Sequence, residues 1–379
     1  MRPIYLDYNA TTPISPSVHE AMEPFLTEYF GNPSSRHASG RICREAMEDA
    51  RGRLATLLGA DTDEIIFTSG GTESNNLALM GLLAGDGPDR AGHLVISTLE
   101  HPAIKAPAEY LARQGIRVTV VACDQHGVVD PNDVEQVLEH DTRLVSIMHA
   151  NNEVGTVQPV REIADLCHAR GIHFHTDAAQ SVGKVRTQVD QLDVDLLSIA
   201  GHKLYAPKGV GALFVRRGVH ITPVLHGAGQ EQGLRPGTEN VASIVGLGRA
   251  AHLASQGLDG EHMRLETLRE RLLAGLRHAI GPRLTVNGSH APERLPNTLS
   301  VNFPDVAGAD LLRRCPEIRA STGAACHADQ VAMSPVLQAI GLPARTARGT
   351  VRLSLGWYTS EEDIDRATQL LASAWETLL

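Results

Sequence analysis

An α/β fold is what this sequence predicts, with a mostly parallel sheet, helices on both of its faces and a second, smaller α+β domain. Three observations carry that expectation. Between Ile65 and Val215, short apolar runs alternate with helical ones, the order that βαβ units produce. The chain has 379 residues, more than the ~250–300 at which a single hydrophobic core stops growing. After Gly260 the pattern changes to one long amphipathic helix followed by short strands and helices.

Taken in order, the opening MRPIYLDYNATT reads as a short strand running into a loop. Ser15-Pro16 starts a helix that carries Val18, Met22 and Phe25-Leu26 at helical spacing. GNPSSRHASG is punctuated as a loop, and a helix follows over 42–58, stopped by Gly59. Strands are expected at 65–67, 93–98, 118–122, 144–148, 172–176, 195–200 and 212–215. The first of them turns through Thr68-Ser69-Gly70-Gly71-Thr72-Glu73 into a helix bearing Leu77, Met80 and Leu83, and Pro159 opens another that closes at Gly171. HGAGQEQGLRPGTENV shows no period at all, and loops that long inside compact domains are usually functional. A domain boundary is expected near Gly257–Gly260. Beyond it come a helix with Leu265, Leu268, Leu272, Leu276 and Ile280 on one face, and strands at 284–287, 298–302 and 351–355. Ser360-Glu361-Glu362-Asp363 has the form of a capping box for the last helix.

Composition excludes several classes. Apolar residues at 42% and charged residues at 21% are those of an ordinary globular enzyme. A net charge of -10 argues against a nucleic-acid footprint, which needs clustered basic residues. No run approaches the ~18 apolar residues of a membrane span, and the polar start lacks the form of a secretory signal. The five cysteines are scattered, with no CxxC, so neither a disulfide framework nor a structural zinc site is expected, and the cytosol is the expected home.

The chemistry centres on 171–211. One predicted strand ends on Asp177 and another leads into Gly201-His202-Lys203. Ligands of open α/β sheets sit beyond the carboxyl ends of the strands, so one anion and one amine reach the same rim. A pyridoxal phosphate (PLP) enzyme needs that pair: the lysine to form a Schiff base, the carboxylate to keep the pyridine nitrogen protonated. The alternative is a turn acid and a surface lysine. Against it, Lys203 lies among Gly201, Tyr205, Pro207 and Gly209, and arginine supplies nearly all of the chain's positive charge. The turn at Gly71-Thr72 is either a phosphate cradle at a helix N-terminus or a structural connection; no Gly-Lys-Ser/Thr follows to make it a nucleotide loop. Read by themselves, His101 at a strand end is a satisfied loop residue, Asn152 part of a turn pair and Arg352 a strand-end surface arginine. Cys326 lies among small and polar residues, where a thiolate can act as a nucleophile; the other four cysteines read as packing residues.

HTDAAQSVGK, SIAGHKLYAPKGVGAL, RPGTENV and STGAAC resemble segments of the cysteine desulfurases, PLP enzymes of fold type I in the class V aminotransferase family, and the likeness runs from YLDYNATTP to LSLGWYTSEEDID. SxGxxC is similar to their long-loop group. The resemblance implies a seven-stranded sheet, a large PLP domain at 13–257, and a small domain from 1–12 and 258–379 that carries the cysteine loop. It gives Lys203 to the Schiff base, Asp177 to the pyridine nitrogen and Gln180 to the ring hydroxyl oxygen. Gly71, Thr72 and His202 fall to the phosphate, His101 to ring stacking and proton transfer, Asn152 to cofactor and substrate, and Arg352 to the substrate carboxylate. Thr238 would reach the phosphate of the other subunit of a homodimer. L-cysteine would yield L-alanine and a persulfide on Cys326, passed to a sulfur-acceptor protein serving iron-sulfur cluster assembly, tRNA thiolation or DNA phosphorothioation. Two departures stand out: Ala200, where many relatives have a hydroxyl, and His327 after an Ala-Ala-Cys run. GAACH is similar also to selenocysteine lyases. An aminotransferase, which would not need Cys326, and a partner-dependent sulfur relay remain open as alternatives.

Overall fold

The computed structural model describes residues 2–83, 92–322, 324–327 and 330–379, with side chains for all of these but 324–327 and 330–332. β1 (Ile4–Tyr5) lies outside the main sheet. That sheet is built from β2 (Ile65–Thr68), β3 (His93–Ser97), β4 (Arg117–Val121), β5 (Thr142–Ser146), β6 (His173–Asp177), β7 (Leu196–Ala200) and β8 (Gly211–Val215). It has seven strands in the order β2-β8-β7-β6-β5-β3-β4. β8 runs antiparallel to both neighbours, and the remaining pairs are parallel. β2, β3, β7 and β8 are buried along their whole length, because helices cover both faces of the sheet. Each strand therefore reads as a continuous apolar run instead of an alternating one.

The antiparallel β8 begins at the rim where β7 ends, with Gly211 paired to both Thr68 and Ala200. A Cβ at Gly211 would lie 2.4 Å from the Ile199 carbonyl oxygen and 2.6 Å from the Gly70 Cα. Only glycine lets the turn after β2 pack this closely, which brings residues 70–72 to the ends of β6 and β7.

The second unit holds an antiparallel sheet of β9 (Thr285–Val286), β10 (Thr298–Asn302), β12 (Ser321–Thr322) and β15 (Thr350–Ser354), ordered β12-β15-β10-β9. β1 pairs in parallel with β11 (Ile318–Arg319), and β13 (Ala324–His327) forms a ribbon with β14 (Gln330–Met333). Ile4 and Leu6 share a core with Leu299, Leu353 and Trp375, separate from the core under the large sheet. The last helix, Glu361–Leu378, opens on the expected capping box of Ser360 and Asp363.

Two elements differ from the sequence reading. Helix Ala38–Leu58 starts four residues before 42, with His37 accepting from the Gly40 N–H at 3.4 Å; Ala-Ser-Gly-Arg has no apolar period to announce it. Helix Val241–Ile280 runs unbroken through Gly257 and Gly260. Its first half, with Leu247, Ala250 and Ala254, packs into the large core, and its second half, with Leu265, Leu272 and Leu276, into the other. No helix among the described residues is long and apolar enough to cross a membrane.

Candidate active site

β6 ends on Asp177, and β7 runs into a turn at Gly201–Lys203, so acid and amine meet at one rim. Between them lies a cavity of about 470 Å³. Gly71, Thr72, His101, Asn152, Asp177, Gln180, His202, Lys203 and Arg352 all line it. Nine sequence nominees from five separate stretches thus share one space.

Lys203 Nζ donates to the carbonyls of Asn9 and of Ala10, the latter at 2.7 Å. Burial, and then the Arg352 charge, lower its pKa to about 8, which favours the neutral amine that attacks a carbonyl carbon. Asp177 is buried, its Oδ2 accepting from Asn75 Nδ2 at 2.7 Å and its Oδ1 from the Ala179 N–H at 3.0 Å. His101 caps helix Pro102–Arg113, with Nδ1 accepting from the Ala103 N–H at 3.1 Å. That bond assigns the ring proton to Nε2, and burial, with Lys203 and Lys105 nearby, holds the imidazole below its usual pKa. The preceding Glu100 is buried, accepts from Ser97 Oγ at 2.5 Å and from the Met148 N–H at 3.0 Å, and has its pKa pushed up to about 8 by burial. Its two hydrogen bonds fix the strand end that presents His101.

Around Gly71 and Thr72 the cavity meets a second space of about 420 Å³, also lined by Ser69, His202 and Lys208. Helix Gly71–Leu83 points its N-terminus there, and a Cβ on Gly71 would approach Ala200 Cβ to 3.2 Å. His202 Nδ1 meets Thr11 Oγ1 at 3.1 Å, and burial, with Lys203 and Lys208, lowers its pKa to about 4. A neutral imidazole, a lysine and free helix-terminal N–H groups suit a phosphate. At the other end Arg352, from β15, donates to Asp7 Oδ1 at 2.7 Å and to the Asn152 carbonyl at 3.1 Å. Its Nε is buried with no partner among the described residues, and so is Asn75 Oδ1. Phosphate cradle, buried acid, primed amine and spare donor together fit PLP.

One nominee falls elsewhere, and another lies partly outside the described residues. Thr238 is exposed and lines neither space of its own chain. The Cys326 backbone pairs with Val331 in the β13–β14 ribbon, and its side chain, like that of His327, lies outside the described residues. The sequence reading passed over Asn9, Asn75 and Lys184. All three stand inside or beside motifs it used, but hydrogen-bonding roles of this kind have no spacing signal.

The family model described as Aminotransferase class-V matches residues 4–367. The chain is 45% identical to the cysteine desulfurase IscS of Dictyoglomus turgidum over 100% of its own length and 95% of that protein's. Among solved structures, a NifS-like protein superposes with a TM-score of 0.92 at 37% identity, covering 99% of this chain and 100% of the other. SspA in complex with cysteine superposes at 0.82 with 36% identity, covering 94% and 99%.

Proposed function

Since the chain belongs to the aminotransferase class-V family and is a PLP-dependent cysteine desulfurase, we propose a role for each residue in its cavity. The carrying observation is that Lys203, Asp177 and Arg352 line one space. Lys203 holds the cofactor covalently and later moves the Cα proton, for which its lowered pKa suits it. Asp177, oriented by Asn75, would hold the pyridine nitrogen and keep it protonated. Gly71, Thr72 and His202 take the phosphate, and Gln180 faces the ring oxygen. When bound, the cofactor supplies the electron sink that lets the Cα–H bond of L-cysteine break. Arg352 exchanges its contact with Asp7 for the substrate carboxylate, helped by Asn152. His101, whose Nδ1 is held by the Ala103 N–H, would lie against the ring and be free to carry protons through Nε2.

The same reading gives Cys326 the nucleophilic step: its thiolate takes the substrate sulfur as a persulfide and L-alanine is released. Three further parts of the proposal follow. The large domain is 13–257, and the small domain, 1–12 with 258–379, carries the cysteine loop. Two chains form a homodimer in which Thr238 completes the partner's phosphate site; its exposure, away from its own cavity, supports this. The enzyme works in the cytosol and passes sulfur to an acceptor protein, for iron-sulfur assembly, tRNA thiolation or DNA phosphorothioation; the free thiols of Cys43, Cys123, Cys167 and Cys315 fit that compartment.

Replacing the loop thiol tests the assignment. Cys326→Ser should keep the yellow bound cofactor and lose sulfide and persulfide production from L-cysteine by orders of magnitude. Its cleavage of selenocysteine should fall far less, because a selenol leaves more readily than a thiol. Near-normal desulfuration in reductant-free buffer would refute the nucleophile role. Turnover of selenocysteine with little or none of L-cysteine by the unmodified enzyme would favour a lyase.

A further inference from the structure

Beside Gln180 lies a second buried amine. Lys184 is only 9% exposed, and its Nζ donates to Gln180 Oε1 at 2.9 Å. Gln180 Nε2 donates to the Asn9 carbonyl at 2.8 Å, and the same carbonyl accepts from Lys203 Nζ. One hydrogen-bonded chain therefore joins the two lysines.

This chain has a single polarity. An ammonium offers only donors and a backbone carbonyl only accepts. The Gln180 amide must then turn its oxygen to Lys184 and its nitrogen to Asn9. Asn9 is the one acceptor that Nε2 meets among the described residues, which leaves its second N–H for the cavity that Gln180 lines. We propose that Lys184 is a positioning residue: by holding Gln180 Oε1 it makes the amide present a donor, never an acceptor, to the ring oxygen of the cofactor. The inference rests on the reading above that Gln180 faces that oxygen.

An amide free to flip would offer its carbonyl to the same oxygen and repel it. The buried charge acts in the same direction. Lys184 faces Lys203 and Arg352, while His262 meets only its backbone carbonyl, at 3.1 Å. Burial and those two cations lower its pKa to about 7, so an anionic ring oxygen would favour its protonated form. A cation there in turn disfavours the protonated linkage between Lys203 and the cofactor.

The holoenzyme provides the test, through the pH midpoint of its yellow chromophore and the dissociation constant of PLP. Lys184→Met keeps the length and apolar bulk but removes donor and charge. Its midpoint should rise by about one pH unit, a tenfold change in proton affinity, and PLP should bind more weakly. Gln180→Leu should move the midpoint in the same direction. If Gln180→Leu moves it and Lys184→Met does not, the positioning role is overturned while the place of Gln180 stands. If Gln180→Leu leaves it unmoved, the reading of Gln180 itself fails. Lower thermal stability of Lys184→Met with an unchanged midpoint marks a merely structural lysine and also overturns the proposal. Should Lys184→Met not fold, Lys184→Gln replaces it with the same expected direction, since an uncharged amide can turn either end to Gln180.

Discussion

At Lys203, burial and the Arg352 guanidinium both disfavour the ammonium, against the weaker opposing pull of Asp7 and Asp177. The neutral amine is the form that captures the cofactor, and its fraction grows as pH rises towards the pKa of about 8. Rapid mixing of apoenzyme with PLP should therefore show a capture rate that climbs about tenfold per pH unit below that value and levels off above it. Arg352→Gln removes a cation, lets the pKa rise, and should move the plateau to higher pH. A capture rate flat from pH 6 to 9 would contradict a primed lysine. Lys203 and Asp177 were legible in the sequence because one follows and the other ends a predicted buried strand. Asn75 was not: it orients Asp177 through one 2.7 Å bond, just past the Gly71-Thr72 turn, where no spacing marks it. Asn9, whose amide and carbonyl tie together Asn152, Thr298, Gln180 and Lys203, looks in sequence like a turn residue.

The long loop before helix Val241–Ile280 is fixed at the level of elements. Glu231 takes both ends of the Arg51 guanidinium at 2.8 and 2.9 Å, and also accepts from the Phe67 N–H at 2.7 Å. This buried pair holds Glu231 and Gln232 at φ of 45° and 59°, where side chains rarely sit, and Arg235 anchors the next turn to Glu73 at 2.9 Å. Glu231→Ala leaves the buried Arg51 guanidinium only the solvent-facing Glu48 carboxylate and the Ile65 carbonyl, and should cost on the order of 1–3 kcal/mol in denaturant unfolding. Arg51→Met with Glu231→Leu should recover part of this. Full recovery would mean that the Phe67 N–H, left alone by both changes, does not matter, against the ~1–3 kcal/mol such a group costs. Period and turn chemistry revealed the loop, but neither signals that its anchor is an arginine 180 residues away. The helix was read as starting only beyond Gly257–Gly260 for a related reason, although it runs through both glycines. Both glycines face open space, and each costs only about 1 kcal/mol in a helix. Burying one leucine on either side gains about 1.5–3 kcal/mol, and several are buried. Tertiary packing overrides propensity here.

Across the whole molecule, the cavity lies where two cores meet. Arg352 comes from the small antiparallel sheet, Asn9 and Ala10 from the N-terminal segment beside it, and the other lining groups from the large sheet's rim. Thr238 is the nominee left outside, exposed on its own chain. If it completes the phosphate site of a partner, a two-fold dimer has two composite sites, each built from one chain's Lys203 and the other chain's Thr238. Lys203→Ala alone then kills both sites, and Thr238→Ala weakens both by one bond to a charged group, about 1.5–3 kcal/mol or at least tenfold in PLP affinity. Exchanging subunits of the two variants gathers both defects into one site of each heterodimer and leaves the other intact. At limiting PLP, an equal mixture should regain roughly a quarter of wild-type turnover, since half the dimers are mixed and each has one good site. If Thr238 serves its own chain, every site in the mixture carries a lesion and nothing is regained. Labelled subunits that show exchange without recovery would therefore rule out the shared site.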